Sequence, residues 1–224
     1  MTRLPAGAQE AIEALVALLA ADDDAPSSVR EPARARDAHV ADSLSGLAAP
    51  ELRSAGRIAD LGAGAGFPGL VLAAALPAAK VDAIESVSRK CEYLRRAIAA
   101  AGLANAAVVC ERSEEWARGE GREAYDAVTA RAVGRLATLA ELASPLLRDG
   151  GALIAWKGRR DPEEESEAAR AAGRLAMEPA GVRPVTPYEG SRDRHIHLLR
   201  KNGPTPEQLP RRAGMAAKRP FGSE

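Results

Sequence analysis

The chain has 224 residues with 31 basic and 31 acidic side chains, so its formal net charge is zero. That length suits one ample domain, or one domain with extensions. The balance excludes a uniformly basic protein that coats nucleic acid and an acidic, disordered one. Hydrophobic residues make up 46 % of the chain, but 50 residues are alanine and only seven are aromatic, so the core is expected to be mainly Ala, Leu and Val. Of the basic residues 26 are Arg and five are Lys, a skew that runs through the whole chain and reads as coding bias. The charge is uneven along the chain: residues 1–26 carry −4, residues 27–191 carry −1 and residues 192–224 carry +5.

Apolar residues at helical spacing (Ile12, Leu15, Val16, Leu19) predict an amphipathic helix over Ala8–Ala21. Residues 22–32 hold three aspartates in a row, two prolines and a serine pair, and read as a loop. A second helix is expected over Ala33–Leu47. Strands are expected at Arg57–Leu61, Lys80–Glu85, Ala106–Cys110, Tyr125–Ala130 and Ala152–Lys157. Helices are expected between them at Phe67–Leu76, at Ser88–Ala101 with Ser88 as cap, at Glu114–Arg118, and at Leu136–Leu147 with Gly150-Gly151 as stop. A charged helix over Pro162–Ala176 and two last strands, Val182–Thr186 and His195–Arg200, complete the series. Strands alternating with helices imply an α/β, doubly wound, mainly parallel sheet, with the last two strands as an antiparallel edge. The division expected is a helical extension over 1–50, the main domain over 51–201 and a basic tail over 202–224.

No window approaches the ~18 apolar residues of a membrane span. The N-terminus lacks the features of a secretory leader, so a cytoplasmic location is expected. Cys91 and Cys110 form no CxxC and have no His at zinc spacing. They read as two buried structural thiols in a reducing compartment, with no metal.

The segment Ile58-Ala-Asp-Leu-Gly62-Ala-Gly64-Ala-Gly66-Phe-Pro-Gly69 runs from a strand through closely spaced glycines into a helix. Its spacing also fits a dinucleotide fingerprint, which alone is a weak match. Two details favour S-adenosylmethionine. Asp60 stands at the strand end, where a carboxylate faces the ligand's ammonium or orders the loop but repels a pyrophosphate. Pro68 removes a donor that a pyrophosphate would use. Glu85 closes the second strand 19 residues after Gly66, placed to accept from ribose hydroxyls in either cofactor class. Arg131 stands at the tip of the fourth strand, over the pocket.

These residues resemble the small-subunit ribosomal RNA guanine-N7 methyltransferase G family. The resemblance rests on Val29-Arg30-Glu31, His39-Val-Ala-Asp42-Ser43-Leu44, Asp60 to Gly69, Glu85-Ser86, Arg89-Lys90, Arg112-Ser113-Glu114, Thr129-Ala130-Arg131-Ala132 and Trp156-Lys157-Gly158. The tail Pro210-Arg-Arg-Ala-Gly214 to Pro220 is similar to the basic ending of many members. The resemblance implies a class I, Rossmann-like fold and methyl transfer from S-adenosylmethionine to N7 of a guanine in a 16S rRNA loop near the decoding site. It implies cofactor contacts at Gly62, Phe67, Ser113, Glu114 and Arg131, beside Asp60, Gly64 and Glu85 from the loop argument. One stretch departs from the pattern: where members carry Trp-Asn and Asn-Leu pairs, this chain reads Ala20-Ala21-Asp-Asp-Asp-Ala-Pro26.

Guanine N7 has an exposed in-plane lone pair, so no proton-abstracting dyad is expected, and catalysis reduces to proximity and orientation. His39 is a candidate for base or phosphate contact, or for a structural hydrogen bond. Lys157 is a candidate for RNA contact, and Arg211, Arg212, Lys218 and Arg219 for a backbone clamp. His195 and His197 read as structural. The expected partner is 16S rRNA or the small ribosomal subunit, and the expected state a monomer. The competing readings are a class I methyltransferase acting on a small molecule or protein, an NAD-dependent oxidoreductase, and a non-catalytic ribosome-binding protein.

Overall fold

The computed structural model describes residues 4–222. Its strands are β1 (Arg57–Leu61), β2 (Lys80–Ile84), β3 (Ala106–Val109), β4 (Tyr125–Arg131), β5 (Leu147–Lys157), β6 (Met177–Val185) and β7 (Arg194–Lys201). They form one sheet in the order β3-β2-β1-β4-β5-β7-β6. Strands β1 to β5 pair in parallel, and β7 is antiparallel to both β5 and β6. The strand order reverses between β1 and β4, which opens a crevice at their carboxyl ends.

The short, two-sided strands explain the doubly wound form. Ile58, Val81, Ala127, Ile154 and Trp156 pack on one face with Ile12, Leu19, Leu70 and Tyr93. Their neighbours Ala59, Ile84, Val128, Leu153 and Ala155 pack on the other, against Leu139, Ala140 and Ala171. Burial of both faces removes the apolar–polar alternation of a half-exposed sheet. The N-terminal helix Ala8–Ala21 belongs to the first of these cores.

The second helical stretch is continuous over 32–48 and contains a π-helical segment, Arg36–Ala41. Glu31 caps it, accepting from the backbone N–H groups of Ala33 and Arg34.

Several expected boundaries shift. The Leu136 helix ends at Ala143, and Gly150-Gly151 lies inside β5, beside a register shift against β4, rather than after a helix. The charged helix ends at Ala172 and continues as a 3-10 turn, Gly173–Leu175. Val87, not Ser88, is the N-cap of the Ser88–Ala100 helix and offers no side-chain bond there. Glu85 instead holds the turn before the helix, its Oε1 accepting from the Ser86 and Val87 amides at 2.8 and 2.9 Å. The two cysteines are not free thiols: Cys91 and Cys110 are joined in a disulfide, with Cα atoms 5.8 Å apart. Parallel pairing of β2 and β3 brings the first turn of the Ser88–Ala100 helix beside the end of β3, within the span such a bond needs.

Alanine and glycine let elements approach closely. A Cβ added at Gly46 would lie 2.1 Å from Cζ2 of Trp156 on β5. The same indole donates from Nε1 to the Asp42 carbonyl at 2.7 Å. Gly46→Ala is therefore expected to displace the indole and lower stability by about 1–3 kcal/mol, as overpacked cores do. Chemical denaturation at fixed m-value checks this.

Candidate active site

The carboxyl ends of β1, β2, β3 and β4 frame two adjoining cavities that meet at Gly62. The smaller, about 190 Å³, is walled by Ile84, Glu85, Ser113 and Glu114 and by Ala216 and Ala217 of the tail. The larger, about 580 Å³, is walled by His39, Asp42, Phe67, Arg131, Trp156 and Lys157.

The glycine-rich turn is held by two carboxylates with different tasks. Asp60 is fully buried: Oδ2 accepts from the Gly69 amide at 3.0 Å and Oδ1 from the Thr129 hydroxyl at 2.8 Å. Of the two roles open to it, the geometry supports ordering of the loop; its side chain lines neither cavity. Burial pushes its pKa up to about 6, against the pull of those two hydrogen bonds and of Arg131. Glu85 does face the smaller cavity. Its Oε2 accepts from the Gly64 amide at 3.2 Å, in addition to the two bonds at Oε1. Gly64 has φ of +54°, which an L side chain rarely adopts. Three backbone donors leave part of the carboxylate's acceptor capacity directed at the cavity. That matches the demand of a ribose diol. With Ser113 and Glu114 on the next turn, these residues fit the nucleoside end of S-adenosylmethionine.

Arg131 organises the larger cavity. Nη1 donates to the Ala38 carbonyl at 2.8 Å and to Asp42 Oδ2 at 2.9 Å, and Nη2 meets His39 Nδ1 at 3.0 Å. A guanidinium only donates, so Nδ1 is an acceptor and the His39 proton sits on Nε2. There it donates to Ser27 Oγ at 2.9 Å. His39 is thus a neutral imidazole. Burial first, and then Arg131, hold its pKa below the ordinary value. Its ring stacks on Phe67, with centroids 4.7 Å apart and planes inclined by 15°.

The RNA-contact candidates divide. Lys157 lines the larger cavity, but its Nζ is bonded to Glu164 at 2.6 Å and to the Gly134 carbonyl at 3.1 Å. Arg211 is not part of a surface clamp. It makes a two-pronged pair with buried Glu141, both contacts 2.6 Å, which anchors the tail. Arg212, Lys218 and Arg219 are exposed. The Gly214 amide donates to Glu114 at 2.8 Å, and the Ala216 carbonyl accepts from Thr138. This puts the tail against the smaller cavity, a role the basic residues in its sequence hid. Thr129 and Ser27 were also missed, since a single hydroxyl carries no spacing signal. His195 bonds the Gly158 carbonyl, and buried His197 lies 3.9 Å from Glu165, a structural setting for both.

A family model described as rRNA small subunit methyltransferase G matches residues 10–195. The chain belongs to this family. Among similar proteins, the ribosomal RNA small subunit methyltransferase G of Rubrobacter xylanophilus is 44 % identical over 86 % of this chain and 75 % of its own length. That of Thermotoga neapolitana is 42 % identical over 82 % of this chain and 78 % of its own. The fold also matches the mitomycin 7-O-methyltransferase MmcR, with TM-score 0.60 and 14 % identity over 87 % of this chain and 66 % of that one. A SAM-dependent O-methyltransferase of Thermotoga maritima matches with TM-score 0.54 and 18 % identity over 74 % and 66 %. The fold is therefore that of class I methyltransferases, and family membership makes the chain a methyltransferase.

Asp60 supplies a pH test of the loop. Its folded pKa of about 6 lies above the ordinary carboxylate value. Between the two the folded state binds more protons than the unfolded one. Its contribution to stability is therefore present at low pH and is lost as pH rises through about 6. Asp60→Asn should fold and lose that slope, which is at most about 1.4 kcal/mol per pH unit for one proton. Denaturation midpoints from pH 4 to 7 check it, and an unchanged slope would refute the assignment.

Proposed function

We infer that this protein transfers a methyl group from S-adenosylmethionine to N7 of a guanine in 16S rRNA, with the nucleoside of the donor in the smaller cavity and the guanine in the larger. The observation that carries the reading is the meeting of the two cavities at Gly62, one lined by a ribose-type acceptor and the other by stacked flat rings. Bound S-adenosylmethionine supplies an electrophilic methyl on a sulfonium. Gly62, Gly64 and Phe67 on the first loop, Glu85, Ser113 and Glu114 on the next two turns, and Arg131 are the residues that would hold it, with Asp60 fixing the loop from behind.

The chain's own task is orientation. N7 brings a lone pair of its own, so no side chain has to remove a proton. The product base becomes cationic, which makes a neutral imidazole preferable to a protonated one beside it. His39, kept neutral by burial and Arg131, satisfies that condition in the wall of the larger cavity. The positive charges of Arg131 and Lys157 are each opposed by a carboxylate, Asp42 and Glu164. The pocket thus keeps cations for contact with RNA without leaving a bare one beside the reacting ring. The substrate class supports a cytoplasmic setting. No helix among the described residues is long and apolar enough to cross a membrane.

Incubating small subunits, or 16S rRNA stripped of protein, with the enzyme and labelled S-adenosylmethionine tests the reading. Mass spectrometry of nuclease fragments should find one N7-methylguanine. Label in another base, or on protein, would favour the small-molecule or protein alternative. RNA affinity tests the tail separately. Replacing Arg212, Lys218 and Arg219 with Ala together should flatten the dependence of log affinity on log salt by about 0.7–0.9 for each lost phosphate contact. Arg211→Ala is unsuited to that test because its partner Glu141 is buried.

A further inference from the structure

We propose that Asp42 reads the guanine to be methylated, accepting hydrogen bonds from N1–H and the 2-amino group on the ring edge away from N7. The proposal rests on the reading of the larger cavity as the guanine site. Asp42 is the one carboxylate among the described residues that line this cavity. It is only 7 % exposed, and its position is fixed at both ends. Its backbone carbonyl accepts from Trp156, and its Oδ2 accepts from Arg131. The remaining oxygen, Oδ1, has no hydrogen-bond partner among the described residues and is not sealed from the cavity. One oxygen is thus pinned and the other is free, in a cavity whose wall also carries the stacked pair of His39 and Phe67.

Guanine alone among the RNA bases carries an N1–H donor next to an exocyclic amino donor. Adenine and cytosine place a ring acceptor at the corresponding edge, which a carboxylate repels. The charged groups facing the site, Arg131, Lys157 and Arg194, are all cationic and cannot accept from guanine, and His39 has its one acceptor nitrogen occupied by Arg131. A carboxylate here also serves the reaction. The N7 lone pair forms the bond to the methyl carbon while the carbon–sulfur bond breaks, its electron pair remaining on sulfur. The positive charge passes to the guanine ring, and no proton is released. N1–H becomes a stronger donor as that charge grows, so its bond to Asp42 strengthens toward the transition state. Such an interaction raises kcat, not only affinity.

Inosine lacks only the 2-amino group of guanosine and keeps N7, so it separates reading of the base from support of Arg131. The test uses 16S rRNA assembled into small subunits with guanosine or inosine at the methylated position. The wild-type enzyme is expected to lose about tenfold or more in kcat/KM on inosine. Asp42→Asn is expected to be slower on guanosine and to treat the two bases alike, and calorimetry with S-adenosylmethionine measures separately how far loss of Arg131's partner reaches the donor site. Asp42→Glu keeps the charge for Arg131 and moves the free oxygen by one methylene. It gives the same comparison if the Asn variant does not fold. A wild-type enzyme indifferent to inosine, or an equal inosine penalty in wild type and both variants, would overturn the role of Asp42. Absence of methylation at any guanine by wild type would instead remove the assigned activity, and this proposal with it.

Discussion

The guanidinium of Arg131 is the interaction on which the site depends. It stands at the last position of β4 and binds three acceptors on a single helical stretch: the Ala38 carbonyl, His39 Nδ1 and Asp42 Oδ2. Those residues fall within or beside the π-helical segment Arg36–Ala41. A π turn holds more residues than an α turn, so it changes which side chains face the sheet, and such turns recur at functional sites. One cation thereby docks the N-terminal helices on the strand tips, selects the histidine tautomer and fixes a carboxylate. Arg131 and Asp42 are both largely withdrawn from water, with 16 % and 10 % of their side chains exposed. Removal of either would leave an uncompensated charge, which is more damaging than never having had the pair.

The zero net charge acquires a structural meaning. In the acidic run Asp22-Asp23-Asp24, where the family pattern breaks, only Asp22 is drawn in against an arginine, while Asp23 and Asp24 stay exposed with longer contacts. Asp22 pairs with Arg96 at 2.6 Å, Asp23 with Arg30 at 3.4 Å, and Asp24 lies 3.8 Å from Arg89. The contacts of Asp22 and Asp24 join the loop after the first helix to the Ser88–Ala100 helix. Asp22 is therefore neutralised within the fold, whereas Asp23 and Asp24 keep an acidic face toward solvent. At the basic end, Arg211 is consumed by Glu141, and Phe221 lies between Arg174 and Arg211 at 4.3 and 4.1 Å from its ring centre. Only part of the basic excess is left facing solvent.

How much of this was legible depends on range. Ala8–Ala21 and β1 fall where apolar spacing places them, because each is set by its own side chains and by burial on a predictable face. The edge strands β6 and β7 were legible as a pair, though not in length. Failures cluster where a distant partner decides. Gly150-Gly151 reads as a helix stop, yet the pairing of β5 with β4 carries the strand through it. Ser88 reads as a cap, but the helix already starts there, because the Val87 carbonyl accepts from Lys90 and Cys91 and Glu85 fixes the turn before it. The cysteines are separated by 19 residues and meet only because β2 and β3 are parallel. The tail's arginines look interchangeable in sequence, and only Glu141 on the Leu136–Ala143 helix singles out Arg211.

Asp60 and Glu85 show the same limit at the level of chemistry. Each is an acid at the end of a neighbouring strand, and strand ends are where ligands bind in such sheets. They share a face of the sheet by register, and their fates diverge by position: Asp60 lies within β1, Glu85 one residue past β2. Asp60 points under the loop, where the Gly69 amide and the Thr129 hydroxyl satisfy it and burial raises its pKa. Glu85 lies just past β2, at the cavity, held by three amides from the two turns that bound it. A fully buried acid that orders a loop and an acid set in a cavity wall are alike in sequence. What separates them is place, not the number of donors: Asp60 is fully buried and lines neither cavity, whereas Glu85, with more backbone donors, stands in the wall of the smaller one.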